Sequence, residues 1–164
     1  SGQREKRIKK QDLTEELLRL IIQDDCLVMP ALTTPSYDAD VVSAAGDVKL
    51  VVVRERINPA GIPFQGNKIH SDMSITQYCH DIATALNLDS IHDIDLMTDQ
   101  NGDPCVIEVN PRPSGSIAAT LTAGIPAVDI AILTLCGMTI PDVRIGSDIM
   151  ILPSNNGGME IVYE

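Results

Sequence analysis

The sequence predicts an α+β fold in which an antiparallel sheet is covered by helices. Three observations lead there. Residues 37–43 and 47–54 are apolar-rich runs with strand composition, and Ala45-Gly46 between them suits a tight hairpin turn. A second pair of runs, 93–96 and 107–110, alternates polar and apolar residues with period two and is separated by a polar, turn-forming stretch. Between and around these hairpins, apolar residues recur at helical spacing, as in Leu13, Leu17, Leu20 and Ile21, and again in Ile75, Tyr78, Cys79, Ile82 and Leu86.

Taken in order, Asp12-Leu13-Thr14-Glu15 resembles a capping box and predicts a helix running to about Gln23. The run from 26 to 29, ended by Pro30, suits a buried strand end or a hinge. The first hairpin follows. From 58 to 68 the chain turns loop-like, with Pro59, Gly61, Pro63 and Gly66 in quick succession, and reads either as a connector or as a mobile flap. Ser74-Ile75-Thr76-Gln77 is a second capping box, opening a helix that ends near Asn87. After the second hairpin, Pro113-Ser114-Gly115-Ser116 forms a turn into a short helix. Gly124-Ile125-Pro126 starts another helix, with Gly137 as the residue just past its end. Strand-like pieces at 149–152 and 160–163 close the chain. The expected organisation is a basic segment at 1–10, a main domain at 11–137 and a strand-like extension at 138–164.

The second hairpin carries the most chemistry. Alternation puts Asp93, Asp95, Glu108 and Asn110 on one face, with Ile94, Leu96, Ile107 and Val109 on the other. Pairing Asp95 with Glu108 sets Asp93 opposite Asn110 and Asp99 opposite Pro104, which leaves 100–103 as a four-residue loop. Two carboxylates directly across a strand pair lie roughly 5 Å apart at Cβ and repel. A divalent cation between them is the natural remedy.

Composition excludes several partners. The 164-residue chain has a formal charge of −11 and only 2% aromatic residues, which disfavours a phosphate polymer and leaves few rings for base stacking. Nucleic acid is not an expected partner. Of the 12 basic residues, five lie within the first ten (Arg4, Lys6, Arg7, Lys9 and Lys10), where they read as a solvated segment. Cys26, Cys79, Cys105 and Cys136 are far apart within apolar runs, as buried small side chains would be, which predicts a reducing, cytoplasmic setting. No apolar run approaches the roughly 20 residues of a membrane span, so no membrane association is expected. His70, His80 and His92 share no metal-ligand spacing, and a Walker A loop, a dinucleotide fingerprint and a nucleophile elbow are all missing. Asp38 and Asp40 alternate along their strand and read as solvent-exposed. For Arg54 and Arg56, which leave a strand on alternate positions of one face, solvated charges and phosphate contacts both stand as readings.

Asp93-Ile94-Asp95, the turn, Glu108-Val109-Asn110-Pro111-Arg112-Pro113-Ser114-Gly115-Ser116 and Thr122-Ala123-Gly124-Ile125-Pro126 together resemble the C-terminal half of an ATP-grasp domain. The likeness is to carbamoyl phosphate synthetase large subunits and related carboxylate–amine ligases. It extends upstream, because 26–34 followed by Tyr37-Asp38-Ala39-Asp40-Val41 is similar to the nucleotide-clamping hinge and next strand of that fold. The resemblance implies that Asp95, Glu108 and Asn110 hold one or two Mg²⁺ (or Mn²⁺) ions bridging ATP phosphates. Hard oxygen ligands of this kind suit Mg²⁺.

It further implies that Arg112 stabilises the transferring phosphoryl group or acyl phosphate, against which stands a plain ion pair with Asp93 or another acid. Arg54, Arg56 and Lys68 would contact phosphate, and Met29 and Ala31 would read adenine through their main chain. The implied reaction is ATP-dependent activation of a carboxylate, or bicarbonate, for attack by an amine or ammonia. Small carboxylate and amine substrates are therefore expected partners. So is a missing N-terminal portion or partner subunit, because the family's nucleotide-binding lysine and glycine-rich loop lie upstream of these motifs, and the chain alone is expected to be inactive. Homo-oligomerisation is left open. The acid that follows the hinge in the family aligns with Ser36 here, which motivates the alternative of a non-catalytic binding or assembly module.

Overall fold

The computed structural model describes residues 8–23, 28–58, 65–146 and 148–162. Most of the basic opening, Cys26 and the middle of the 58–68 loop lie outside the described residues. The chain divides into two compact units, 1–32 and 33–164.

In the first unit a 3-10 turn, Lys10–Asp12, precedes helix α1, Glu15–Gln23. The predicted cap is displaced by two residues. Asp12 donates its N–H to Lys9 O in the 3-10 turn, and Thr14 Oγ1 accepts from Leu17 N at 3.3 Å instead. Met29 and Ala31 are both exposed.

The second unit is built on strands β1 (Thr33–Ala44), β2 (Asp47–Arg56), β3 (Asn67–His70), β4 (Ser90–Thr98), β5 (Pro104–Asn110), β6 (Met150–Pro153) and β7 (Met159–Val162). They form one sheet in the order β5-β4-β1-β2-β3-β6-β7, antiparallel at every pairing. The strand-like tail thus extends the main sheet beyond β3. Helices α2 (Met73–Ala85), α3 (Ile117–Thr122) and α4 (Ala127–Leu135) complete the unit. This is the α+β architecture, an antiparallel sheet with helices against it, expected from the sequence.

Alternation along the strands divides the core between the two faces of the sheet. One face gathers Tyr37, Ala39, Val41, Val53, Ile94 and Leu96 against Ile75, Cys79 and Ala83 of α2. Full burial of its valine, isoleucine and leucine side chains is worth roughly 1.5–3 kcal/mol each, so this layer is a main source of stability. Burial pushes the Cys79 thiol up to about 12, so it packs as an inert small hydrophobe. Cys136, expected to be buried, is exposed. Asp72 caps α2, accepting from Ser74 N at 2.7 Å, two positions ahead of the predicted capping box. On the opposite face Val42, Leu50, Val52, Ile69 and Ile151 pack against Ala119, Ile125, Ala127 and Ile130 from α3, α4 and the turn between them. Farther from the β1–β2 turn, the alternating positions of that second face become charged.

Two one-residue bulges decide which residues reach this charged region. The β1–β2 turn is Ala45-Gly46, with positive φ at both residues as a type I′ hairpin requires, and it pairs Ala44 with Asp47. Continued without interruption, that register would set Asp38 opposite Val53 and send Arg54 to the α2 face. Lys49 is instead the extra residue of a bulge, after which Val42 pairs with Leu50 and Asp38 with Arg54. The β4–β5 hairpin repeats the device. Thr98 pairs with Pro104 and Leu96 with Val106, Ile107 is extra, and Asp95 then pairs with Glu108. A one-residue slip flips every side chain to the other face, so these bulges set the parity of the charged residues.

Candidate metal and phosphate site

Two adjacent rungs of the sheet form the site. The first runs Arg54, Asp38, Asp95, Glu108 across β2, β1, β4 and β5. The second runs Val52, Asp40, Asp93, Asn110 on the same strands. The expected pairings of Asp95 with Glu108 and Asp93 with Asn110 are present. The expected pairing of Asp99 with Pro104 is not, because of the bulge at Ile107.

Asp38 and Asp40, read from the sequence as exposed, are only 1% and 0% exposed. The cause lies in their neighbours. Arg56 donates from Nε to Asp38 Oδ1 and Oδ2 at 3.0 and 2.9 Å and from Nη2 to the same carboxylate, and Nη2 also reaches Asp95 Oδ1 at 3.1 Å. Arg54 Nε lies 3.2 Å from Asp40 Oδ2 as an ion pair without a hydrogen bond, and Thr120 Oγ1 donates to that same oxygen. Buried charges persist when paired and hydrogen-bonded in this way.

These environments push the acids apart. Burial raises the pKa of Asp38, but hydrogen bonds from Arg56 and the charge of Arg54 outweigh it and hold the carboxyl below its ordinary range. Burial pushes Asp93 up to about 6, helped by the charges of Asp38 and Asp40. Asp95 is pushed up to about 7, first by burial, then by its hydrogen bond with Asp38 and the charge of Asp93. Arg56 is held protonated above the usual arginine range by Asp38.

Arg112 follows β5 directly. Its Nη1 donates to Asp93 Oδ2 at 3.4 Å and to Pro113 O at 3.0 Å, while more than half of the side chain stays exposed. Glu108 is exposed on the edge strand, and Asn110 is half-buried. Arg54 is on the site's face but wholly buried. Lys68 is not brought in. It alternates with Asn67 and Ile69, which face the site's side, and pairs across to Glu55 on the α2 side, with Nζ 3.0 Å from Asp148 Oδ1.

The donor set suits a hard divalent cation. Oxygens of Asp38, Asp93 and Asp95 all lie within 4.8 Å of one another. Both oxygens of Asp38 are engaged by Arg56, so Asp93 and Asp95 are the clustered acids that could hold a cation, with Asn110 and Glu108 across the strand pair and Glu108 outside the cluster. Asp93 Oδ1 and Asn110 Nδ2 are buried without a hydrogen-bond partner among the described residues. Five carboxylates (Asp38, Asp40, Asp93, Asp95, Glu108) against three guanidinium groups (Arg54, Arg56, Arg112) leave two negative charges in the fully ionised site. A divalent cation balances them.

A family model described as "ATP-grasp in the biosynthetic pathway with Ter operon" matches residues 23–153. The chain belongs to the ATP-grasp family. Solved ATP-grasp folds resemble it in structure. An N5-carboxyaminoimidazole synthetase from Staphylococcus aureus, complexed with ADP, aligns with TM-score 0.62 at 13% identity over 87% of this chain and 42% of its own. An L-amino acid ligase from Bacillus licheniformis aligns with TM-score 0.56 at 18% identity over 74% of this chain and 33% of its own. The biotin carboxylase of Campylobacter jejuni gives 0.55 at 15% identity, covering 75% and 30%. The chain thus spans less than half the length of these ATP-grasp structures. No curated protein matches the sequence.

The sequence reading missed Asp38, Asp40, Asn67, Ser116 and Thr120 as parts of the site or its support. Only the first two carried a signal, their shared parity; that their strand pairs with the one that carries Asp93 and Asp95 emerges from the structure. Among the described residues no helix is long and apolar enough to cross a membrane.

Proposed function

We propose that this chain is the Mg-ATP-binding portion of an ATP-dependent ligase that activates a carboxylate or bicarbonate as an acyl phosphate for attack by an amine or ammonia. The observation that carries the reading is the pair of rungs, whose five carboxylates lie among three guanidinium groups on and beside them and include Asp93, with Oδ1 buried and without a hydrogen-bond partner among the described residues, directly across from Asn110. Asp95, Glu108 and Asn110, joined by Asp93, would hold one or two Mg²⁺ or Mn²⁺ ions. A metal there supplies charge neutralisation on ATP phosphates, which is most of what phosphoryl transfer needs from a protein.

The chain's own residues do the rest. Arg112 is lightly held by Asp93 and half exposed, so its planar fork is available to a phosphoryl group or acyl phosphate. Arg56 keeps Asp38 ionised and lends part of its charge to the rim beside Asp95. Main-chain contacts from Met29 and Ala31 to adenine rest on the hinge resemblance. The Asn-Pro-Arg motif after the metal rung supports a likeness to carbamoyl phosphate synthetase within this chemistry.

Titration of ADP into the chain with and without Mg²⁺ tests the reading. Binding heat that requires Mg²⁺ and disappears in Glu108→Gln supports it. Absence of nucleotide binding by the folded chain would leave the non-catalytic module as the better account.

A further inference from the structure

Arg54 shares a face with the site yet has no exposed surface, and beyond its ion pairs with Asp38 and Asp40 its hydrogen bonds all lead away from the rungs. Its Nη1 donates to Ser116 O at 3.2 Å, to Ser116 Oγ, and to Asn67 Oδ1 at 3.4 Å. Ser116 is itself fully buried, at the N-cap position of α3. Ser114 Oγ, also buried, accepts from Ser116 N at 3.1 Å and lies 3.1 Å from Ser116 Oγ. The circuit closes through α3, because Thr120 donates to Asp40, and Asp40 is the ion-pair partner of Arg54.

What this circuit holds is the segment that joins the acidic rungs to α3. Arg112 N–H donates to Asn110 O at 2.8 Å, Arg112 Nη1 to Pro113 O, and Ile117 N–H to Ser114 O at 3.1 Å. Residues 110–117 are therefore a string of local turns with one end on β5 and the other on Arg54. Such turns have few apolar contacts of their own, and their geometry depends on the anchor at each end.

We propose that Arg54 is a positioning residue, which fixes the 113–116 turn from beneath the sheet and thereby sets Asn110 and Arg112, without touching phosphate itself. This deepens the proposed function and rests on it for its consequence, though not for the anchoring. A buried guanidinium with a short reach to a backbone carbonyl, a hydroxyl and a carboxylate suits this role better than lysine, which offers a single ammonium.

The test uses Ser116→Ala, which removes one hydroxyl with its contacts to Arg54 Nη1 and Ser114 Oγ and leaves the fold's buried charges paired, alongside Arg54→Lys. Backbone hydrogen exchange is read across 110–120, and Mn²⁺ is titrated in the absence of nucleotide. Both variants are expected to speed exchange at Arg112 and Ile117 several-fold and to weaken Mn²⁺ binding about ten-fold, as loss of a hydrogen bond to a charged group does. Their combination should be little worse than the stronger single variant, since both cut the same circuit. Exchange at 110–117 unchanged from wild type in Ser116→Ala overturns the proposal, even if Arg54→Lys fails to fold. Unchanged Mn²⁺ affinity in a folded Ser116→Ala also overturns it. If the wild type takes up no Mn²⁺, the proposed function fails, and the exchange data still decide whether Arg54 anchors the turn.

Discussion

Asp95→Asn should make the metal-free protein more stable while weakening its hold on a divalent cation. Asp95 is partly buried, with 23% of its side chain exposed, between Asp38 on one side and Glu108 on the other. Its carboxyl is pushed from 3.8 up to about 7. A folded-state pKa above the unfolded value means that the folded protein binds more protons between those two values. The wild type therefore loses stability as pH rises from about 4 through 7, and regains it on acidification.

The full shift of about three units corresponds to roughly 4 kcal/mol at about 1.4 kcal/mol per unit. Partial exposure and solvent screening reduce this to about 1–2 kcal/mol. Asparagine keeps an acceptor for Arg56 and removes the charge. In chelator-treated buffer at pH 8, Asp95→Asn is expected to raise the urea unfolding free energy by about 1–2 kcal/mol, or Tm by roughly 3–6 °C. At pH 5 most of the gain should vanish, because the wild-type carboxyl is then neutral in the folded state. Mn²⁺ affinity at pH 8 should fall at least about ten-fold with the loss of one anionic ligand. A destabilised Asp95→Asn at pH 8, or a gain of equal size at pH 5, would refute the idea that this rung is strained by its own charge.

Other expectations concern the frame. Ile94→Ala empties a fully buried position on the α2 face and should cost about 3 kcal/mol in urea unfolding, with unchanged Mn²⁺ affinity of the folded fraction, because Ile94 faces away from the acidic rungs. Asp72→Ala removes the acceptor for Ser74 N at the start of α2 and should lower stability by about 1 kcal/mol, again without effect on cation binding.

Much of this arrangement was legible in the sequence. Period-two alternation was enough to put Asp93, Asp95, Glu108 and Asn110 on one face, and the expected pairings of Asp95 with Glu108 and Asp93 with Asn110 are those found, although the four-residue loop counted with them is one residue too short. The helix spans followed from apolar spacing, although both predicted caps lay off by two residues, since Thr14 and Asp72 compete with neighbouring Ser, Thr and Asp residues for the same role. The bulges left no trace. Lys49 and Ile107 look like ordinary strand residues, and only their lack of a cross-strand partner distinguishes them. Without the Lys49 bulge, hairpin counting pairs Asp38 with Val53, so its true partner Arg54 could not be found by counting. The burial of Asp38 and Asp40 was illegible for the same reason, because an acid is buried only where a guanidinium from another strand meets it.

A divalent cation is proposed to bind the two rungs that carry Asp95 with Glu108 and Asp93 with Asn110. Electron paramagnetic resonance of Mn²⁺ titrated into the wild type and into the double variant Glu108→Gln, Asn110→Ala tests it directly. The expected result is loss of the free Mn²⁺ signal to one or two sites per chain in the wild type at pH 8, with affinity lowered at least about ten-fold in the folded double variant. Equal Mn²⁺ binding by the two proteins, or none by the wild type, would contradict the account.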